Sequence, residues 1–553
     1  MTGHHRSLAV AVAVAFSATV AHADYIDHFA TRTDVGVFKV PSRGETRVLV
    51  IPVFIDDQPY SAGSEEAFLD EIDDFFADTD DSVFDGGFRF SPYWRQASLG
   101  RFHPRATVAT PVHFPSCPPL GPHAGCRIPR GAGIADGDLA AAGATLKDAM
   151  TFLNEVILCA TNGPSAERRC TSGGDVVLAD FDVSGVQEGI PDGFVDGVIV
   201  ISNAAFPGIA LPVKDLATQP LLTFLGPLPS FTYGEQTVSS VGIAGFASRP
   251  GRETFVAVHE FGHLLGFADL YNESGSTTDM PWSLMGGWFY STPASLLDPF
   301  SRLAIGWANV TDVSGEATIS LGSAARTGEL LKVGAGDEFF LIEHRARVDD
   351  ALDGDLDVNS GVVVQRVRLA KRPLSAPGNY FSTLQDCVNC TPFDSLLMME
   401  EADGTYDMQR GLGRNDARDL FQTGQGIEPS ADTSPRSLQN PVFSTNLLSG
   451  AATGISFTVE ESTDVGAVIR VVADVAADPC ADLDDLCLQD CVVDGDGHGT
   501  CGDFSAFPPA PPADPEPFDG GGGCTCGSSS SAPSLLALAF FAITGIRRRR
   551  QRR

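Results

Sequence analysis

The chain has 553 residues, 43% of them apolar and 20% charged, which is long enough for two or three cores and too apolar for a disordered protein. With 71 Asp and Glu against 37 Lys and Arg, a formal net charge of -34 excludes binding nucleic acid through a phosphate-neutralising surface. It fits an acidic, well-solvated exterior whose carboxylates can also hold calcium.

The chain starts with a polar stretch containing Arg6, an apolar run from Leu8 to Val20, and Ala21-His22-Ala23 in a small-x-small pattern. This reads as a secretory signal over residues 1–23, cut after Ala23. The run falls short of the ~20 apolar residues of a membrane-spanning helix. Residues 24–45 are a short pro-segment or N-terminal extension. From Thr46, RVLVIPVFIDDQPY is a buried strand, SEEAFLDEIDDFFAD has helical spacing, and SPYWRQASLGRFHPRATVATPVHF passes from helix to strand. Leu139 to Leu158 reads as a helix, and the segment from Asp196 to Ser202 as another buried strand. Strands alternating with helices predict an α/β domain over residues 46–310.

Beyond it, ATISLGS, LLKVGAG, EFFLIEHRARV, SGVVVQRVRL, VFSTNLLSG, GISFTVEES and AVIRVVADV predict a β-rich domain over 311–475, a sandwich or barrel. Residues 476–527 form a Cys/Pro/Gly-rich stalk. In residues 528–553 an apolar run, Ala532 to Ile546, precedes RRRRQRR, so the tail is expected to sit in a membrane with its arginines inside. Twelve cysteines in an exported chain read as disulfides. Cys117 with Cys126 and Cys159 with Cys170 are the natural local pairs; Cys387 and Cys390 read as a loop staple, and Cys480, Cys487, Cys491 and Cys501 cluster in the stalk.

The chemistry centres on RETFVAVHEFGHLLGFADLY. His259 and His263, four apart on a helix, leave the same face and can bind one metal ion, for which neutral imidazoles favour zinc. Glu260 is placed to take a proton from a water on that metal, Gly266 to end the helix in a left-handed conformation, and Asp269 to offer a third ligand. In the Gly-broken acidic loop DFDVSGVQEGIPDGFVDG, Asp180, Asp182, Asp192 and Asp196 are candidate calcium ligands. Asp494, Asp496 and Asp503 in VVDGDGHGTCGD are a second candidate set.

HExxHxxGxxD followed by WSLMGGW resembles a metzincin protease, in which a methionine turn forms a floor below the metal; Met285 occupies that place. Within that clan the chain is similar to the immune inhibitor A family of secreted bacterial metalloproteases. VLVIPVFIDDQPY, SPYWRQASLGRF, PDGFVDGVIVI, HEFGHLLGFADLY, DMPWSLMGGW and LAIGW carry the likeness, and EFFLIEHRARV, SGVVVQRV, EEADGTYDMQRG and NDARDLF extend it to residues 46–460. The resemblance implies an α/β metzincin-like catalytic domain, a β-rich domain after it, one catalytic zinc, and Asp269 as the third ligand. Tyr290, just past the methionine turn, is a candidate oxyanion donor. The tail, with Cys524 and Cys526 ahead of the apolar run, resembles myxobacterial sorting tags and implies display at the cell surface. The short extension before the first strand departs from the family's usual long pro-segment.

The expected function is a secreted, surface-anchored zinc endopeptidase acting on proteins or peptides, with no nucleic-acid partner and with membrane contact through the tag. The rival readings are a protease fold without activity serving adhesion, and a structural calcium-binding surface protein.

Overall fold

A computed structural model describes residues 40, 42–58, 64–78, 89–116, 139–183, 190–204, 209–211, 230–245, 253–267, 270, 283–286, 295–334, 338–347, 352–353, 360–368, 393, 395–410, 418–437, 440–473, 491–493 and 499–501. The expected signal, most of the stalk and the tail lie outside these residues, as do Cys117, Cys126, Cys387 and Cys390. Among the described residues no helix is long and apolar enough to cross a membrane.

The first strand, β1 (Gly44–Ile55), is the spine of the molecule. Its apolar run is buried on both faces, as a central parallel strand requires. Val48, Val50 and Phe54 point into one core, and Leu49, Ile51, Val53 and Ile55 into another. One edge of β1 carries β2 (Phe102–Val108) and then β3 (Val112–Phe114), both parallel to it; the other carries β4 (Gly197–Ser202). Pro52 lacks a strand N–H, and its place opposes the gap where β2 has ended and β3 has not begun. β5 (Ile209–Leu211) and β8 (Val241–Gly245) complete the order β2-β1-β4-β8-β5, in which only β5 runs antiparallel. Between them in sequence lies the small hairpin of β6 (Thr232–Tyr233) and β7 (Gln236–Thr237).

Helices cover both faces of this sheet. On one side lie α1 (Glu65–Phe76), α2 (Phe90–Ala97) and α4 (Glu253–Leu264); on the other lies α3 (Leu139–Asn162). Ser64 caps α1 by accepting from the Ala67 N–H at 3.2 Å, and Phe68, Ile72, Phe75 and Phe76 form its buried stripe. α3 runs four residues past its expected end and buries Met150, Leu153, Val156, Ile157 and Ala160. A disulfide between Cys159 and Cys170 ties its last turn to the following loop, the pairing expected from the spacing.

After α5 (Pro299–Ala304) the chain turns to β structure. β9 (Asn309–Val313), β11 (Glu329–Val333), β12 (Glu338–Arg345), β13 (Gly361–Arg368) and β14 (Leu397–Met399) form one sheet, in the order β14-β13-β12-β11-β9. β10 (Gly315–Gly322), β15 (Gly426–Ile427), β16 (Ile455–Ser462) and β17 (Gly466–Ala473) form the second, in the order β10-β17-β16-β15. The short helix α6 (Ala324–Thr327) links β10 to β11. Their facing residues, among them Leu331, Phe340, Ile342, Val364, Phe457, Val459, Ile469 and Val471, enclose one apolar core, so the β-rich region is a sandwich rather than a barrel.

Two features differ from the sequence expectation. The segment 442–450, read there as β-rich, forms turns. The Asn446 amide donates to the Ser430 and Asp432 carbonyls at 2.9 and 3.1 Å, and Gly450 takes a φ of +94°; such local polar contacts compete with a strand ladder. The expected boundary after residue 310 falls inside β9. The outer face of the five-stranded sheet (Leu330, Phe339, Leu341, Val363, Val367, Leu397, Met399) is continuous with the core formed by α1, α2 and α4, so both regions share one apolar interior.

The sandwich encloses an ionisable side chain, His344 on β12, which is 0% exposed. Burial pushes its imidazole down to about 4, against the opposing influence of the Thr463 backbone and the Asp464 carboxylate. Above about pH 6.5 the residue is neutral both folded and unfolded; below it only the unfolded chain takes up the proton. Stability is therefore lost as pH falls from about 6.5 to about 4, on the order of 3 kcal/mol from this residue. Urea denaturation at pH 7 and pH 4.5 should show a smaller acid-induced loss in His344→Leu than in the unaltered protein.

Candidate metal centre

α4 carries His259, Glu260 and His263, which are 5%, 4% and 0% exposed. The helix can lie close on the sheet because β4 and β8 offer glycines beneath it. A Cβ on Gly242 would stand 3.6 Å from both the Glu260 Cβ and Leu264 Cδ1, and one on Gly197 would stand 3.1 Å from the Phe261 ring. Phe261 anchors the helix among Phe90, Trp94 and Phe102, with ring centroids 5.0, 5.6 and 6.3 Å away. The helix ends as the glycine predicts. Gly266 has φ +96°, its N–H donates to the His263 carbonyl at 2.9 Å, and the Phe267 N–H donates to the Gly262 carbonyl at 3.1 Å. This is the paired reverse hydrogen bonding of a Schellman motif.

That ending returns the chain beneath the second histidine. His263 Nδ1 lies 2.7 Å from the Phe267 carbonyl oxygen, and His259 Nδ1 lies 3.0 Å from the Leu284 carbonyl oxygen. A carbonyl only accepts, so each Nδ1 carries the proton and each neutral ring has its lone pair on Nε2. The rings are perpendicular, with centroids 4.9 Å apart. Fixing a tautomer through the far ring nitrogen is the usual support for a metal-binding imidazole. Two Nε2 donors on one helix face, with a carboxylate next to the first, fit a borderline-soft ion such as zinc.

Met285 lies directly under the helix. A Cβ on Gly262 would be 2.8 Å from the Met285 sulfur, closer than side-chain packing permits, so the thioether occupies the space a side chain at 262 would need. Met285 is fully buried, its N–H donates to Ser283 Oγ at 3.2 Å, and its carbonyl accepts from the Leu270 N–H at 2.9 Å. Asp269 and Tyr290 lie outside the described residues. The neighbours Phe267 and Leu270 are both hydrogen-bonded into the site, so the chain on either side of 268–269 is held against it.

The candidate calcium ligands are arranged otherwise. Asp196 is buried and accepts from Thr46 Oγ1 at 2.8 Å and the Arg47 N–H at 3.0 Å. Asp182 accepts from the N–H groups of Asp192 and Gly193, both at 2.9 Å, and Asp192 from that of Phe194 at 3.0 Å. The Asp180 main-chain carbonyl takes the Arg47 guanidinium at 3.1 Å. No three of the four converge on a common point; Asp182 and Asp192 brace the loop through its own backbone, and Asp196 ties it to β1. Asp494, Asp496 and Asp503 lie outside the described residues.

Among the described residues, one set of three carboxylates does converge: Glu401, Asp403 and Asp419, with oxygens within 4.8 Å of one another. Burial, then the charge of Asp419, pushes Glu401 up to about 8, against the Asp407 and Met408 N–H groups it accepts. These are oxygen donors of the kind a hard cation takes. Sequence reasoning did not single them out, because Asp419 comes from a separate segment.

Gly262 was also missed, although its signal was present: a glycine inside a helix costs about 1 kcal/mol relative to alanine and so asks for a packing reason. Ser283 and Asp298, whose buried contacts hold the turn at Met285, carry no signal beyond ordinary polar residues. No family model matches the chain, and no curated protein matches it in sequence.

Gly262→Ala should destabilise the protein by about 1–2 kcal/mol, the overlap with Met285 outweighing the gain in helix propensity. In a denaturation double-mutant cycle, Met285→Ala should remove most of that cost, because the two positions share one space.

Proposed function

We propose that the protein is a zinc-dependent endopeptidase of the metzincin type, similar to the immune inhibitor A family, exported and held at the cell surface. The observation that carries the reading is the pair of Nδ1-to-carbonyl hydrogen bonds, which leave Nε2 of His259 and His263 as the lone-pair nitrogens, with Glu260 beside them. Met285 packed beneath the helix, and Gly266 turning the chain back toward position 269, agree with it. In this reading Asp269 is the third ligand and Tyr290 a donor to the developing oxyanion.

Zinc held by such donors supplies a water acidified toward neutrality and a Lewis acid for the scissile carbonyl. Glu260 acts as the base: it takes a proton as water attacks and returns it to the leaving amine. Among the described residues the antiparallel strand β5, next to the β8 strand on which α4 rests, ends the sheet, and an edge of this kind can take up an extended peptide backbone. The Cys159–Cys170 disulfide fits an oxidising, extracytoplasmic location.

Elemental analysis of the purified protein should find one zinc per chain. Casein hydrolysis should stop on chelation and return with zinc. Glu260→Gln should retain zinc but lose on the order of 10²–10⁴ in rate. Unchanged hydrolysis in Glu260→Gln would falsify the proposed mechanism.

A further inference from the structure

The turn that fixes His259 is itself held from the β-rich region. Leu284, whose carbonyl takes the His259 proton, donates its own N–H to the Leu296 carbonyl at 3.3 Å. Ser283 Oγ donates to Asp298 Oδ2 at 3.2 Å and accepts from the N–H groups of Met285 and Asp298, both at 3.2 Å. The turn 283–286 thus lies against the segment 295–298 and is hydrogen-bonded to it.

That segment is pinned by three side chains from beyond residue 340. Gln365 on β13 donates through Nε2 to Asp298 Oδ1 at 3.2 Å and accepts the Phe300 N–H at 2.9 Å. Asp353 accepts the Leu296 N–H at 3.0 Å. Arg345 on β12 donates to the Leu297 carbonyl at 2.7 Å, and its other arm holds Asp353 at 2.9 Å. Gln365, Arg345, Asp353, Asp298 and Ser283 are all at most 1% exposed. Buried hydrogen bonds of this kind are costly to leave half made, so the segment has one favoured position.

We infer that Gln365, Arg345 and Asp353 are positioning residues for the metal centre, acting through segment 295–298 and Ser283 to place the Leu284 carbonyl against His259. The inference rests on the zinc reading above. The β-sandwich is then a working part of the metal site, although none of its residues is a metal ligand. Outer contacts that orient a metal-binding imidazole typically govern affinity by about 10- to 100-fold.

The test is zinc affinity of the full chain, measured by competition with a chromogenic chelator and accompanied by thermal unfolding. Gln365→Met keeps the side-chain length and removes both hydrogen bonds; Ser283→Ala removes only the hydroxyl and keeps the fold if Gln365→Met does not. Each should weaken zinc binding at least about tenfold. Ile469→Val, in the sandwich core away from this segment, should lower the unfolding temperature and leave zinc affinity unchanged. Affinity within twofold of the unaltered protein in a folded Gln365→Met or Ser283→Ala overturns the inference. Equal weakening in Ile469→Val overturns it too, since general destabilisation would then suffice. If the unaltered protein binds no zinc, the metal reading falls and this inference with it.

Discussion

The missing side chain at residue 262 is the constraint on which the centre depends. Without a Cβ there, the Met285 sulfur comes against the α4 backbone, and the turn around it rises far enough for the Leu284 carbonyl to meet His259. The same approach lets the Met285 carbonyl take the Leu270 N–H and draw the chain after the helix back under His263. The cost of a helical glycine is about 1 kcal/mol, small against the buried contacts it permits.

Around that approach the fold supplies two kinds of support. The aromatic residues of α2 and β2 fix the helix from behind through Phe261, and Trp307 packs against Trp94 and Phe267 at centroid distances of 6.1 Å each. Polar contacts fix the turn in front, through Ser283 and Asp298. The first support is non-directional and tolerates small errors of position; the second is directional and sets the angle at which the imidazole is held.

Much of this was legible in the sequence. β1 and β4 were readable because a strand buried on both faces is a continuous apolar run, and α1 because Phe68, Ile72, Phe75 and Phe76 fall at helical spacing. The histidine spacing and the glycine that ends α4 are local features, so the pattern alone predicted their geometry. The carbonyl partners of the two imidazoles were not legible, since main-chain acceptors leave no mark on residue type. The loop from Asp180 to Asp196 is ambiguous for a related reason: carboxylates bracing a backbone and carboxylates gathered on an ion share one composition. The shared interior was hidden too, because the outer face of the five-stranded sheet is as apolar as the inner one, and sequence does not say which neighbour covers it.

That shared interior also sets an order in time. Phe339, Leu341, Val363, Leu397 and Met399 belong to the same apolar cluster as Phe267, Met285 and Leu296. A chain emerging from its N-terminus has the 259–263 helix available well before those residues exist to complete the cluster. The apolar cluster around the centre is complete only once residue 399 has been made. A nascent chain therefore carries His259 and His263 before it holds the residues that close the apolar cluster around their helix.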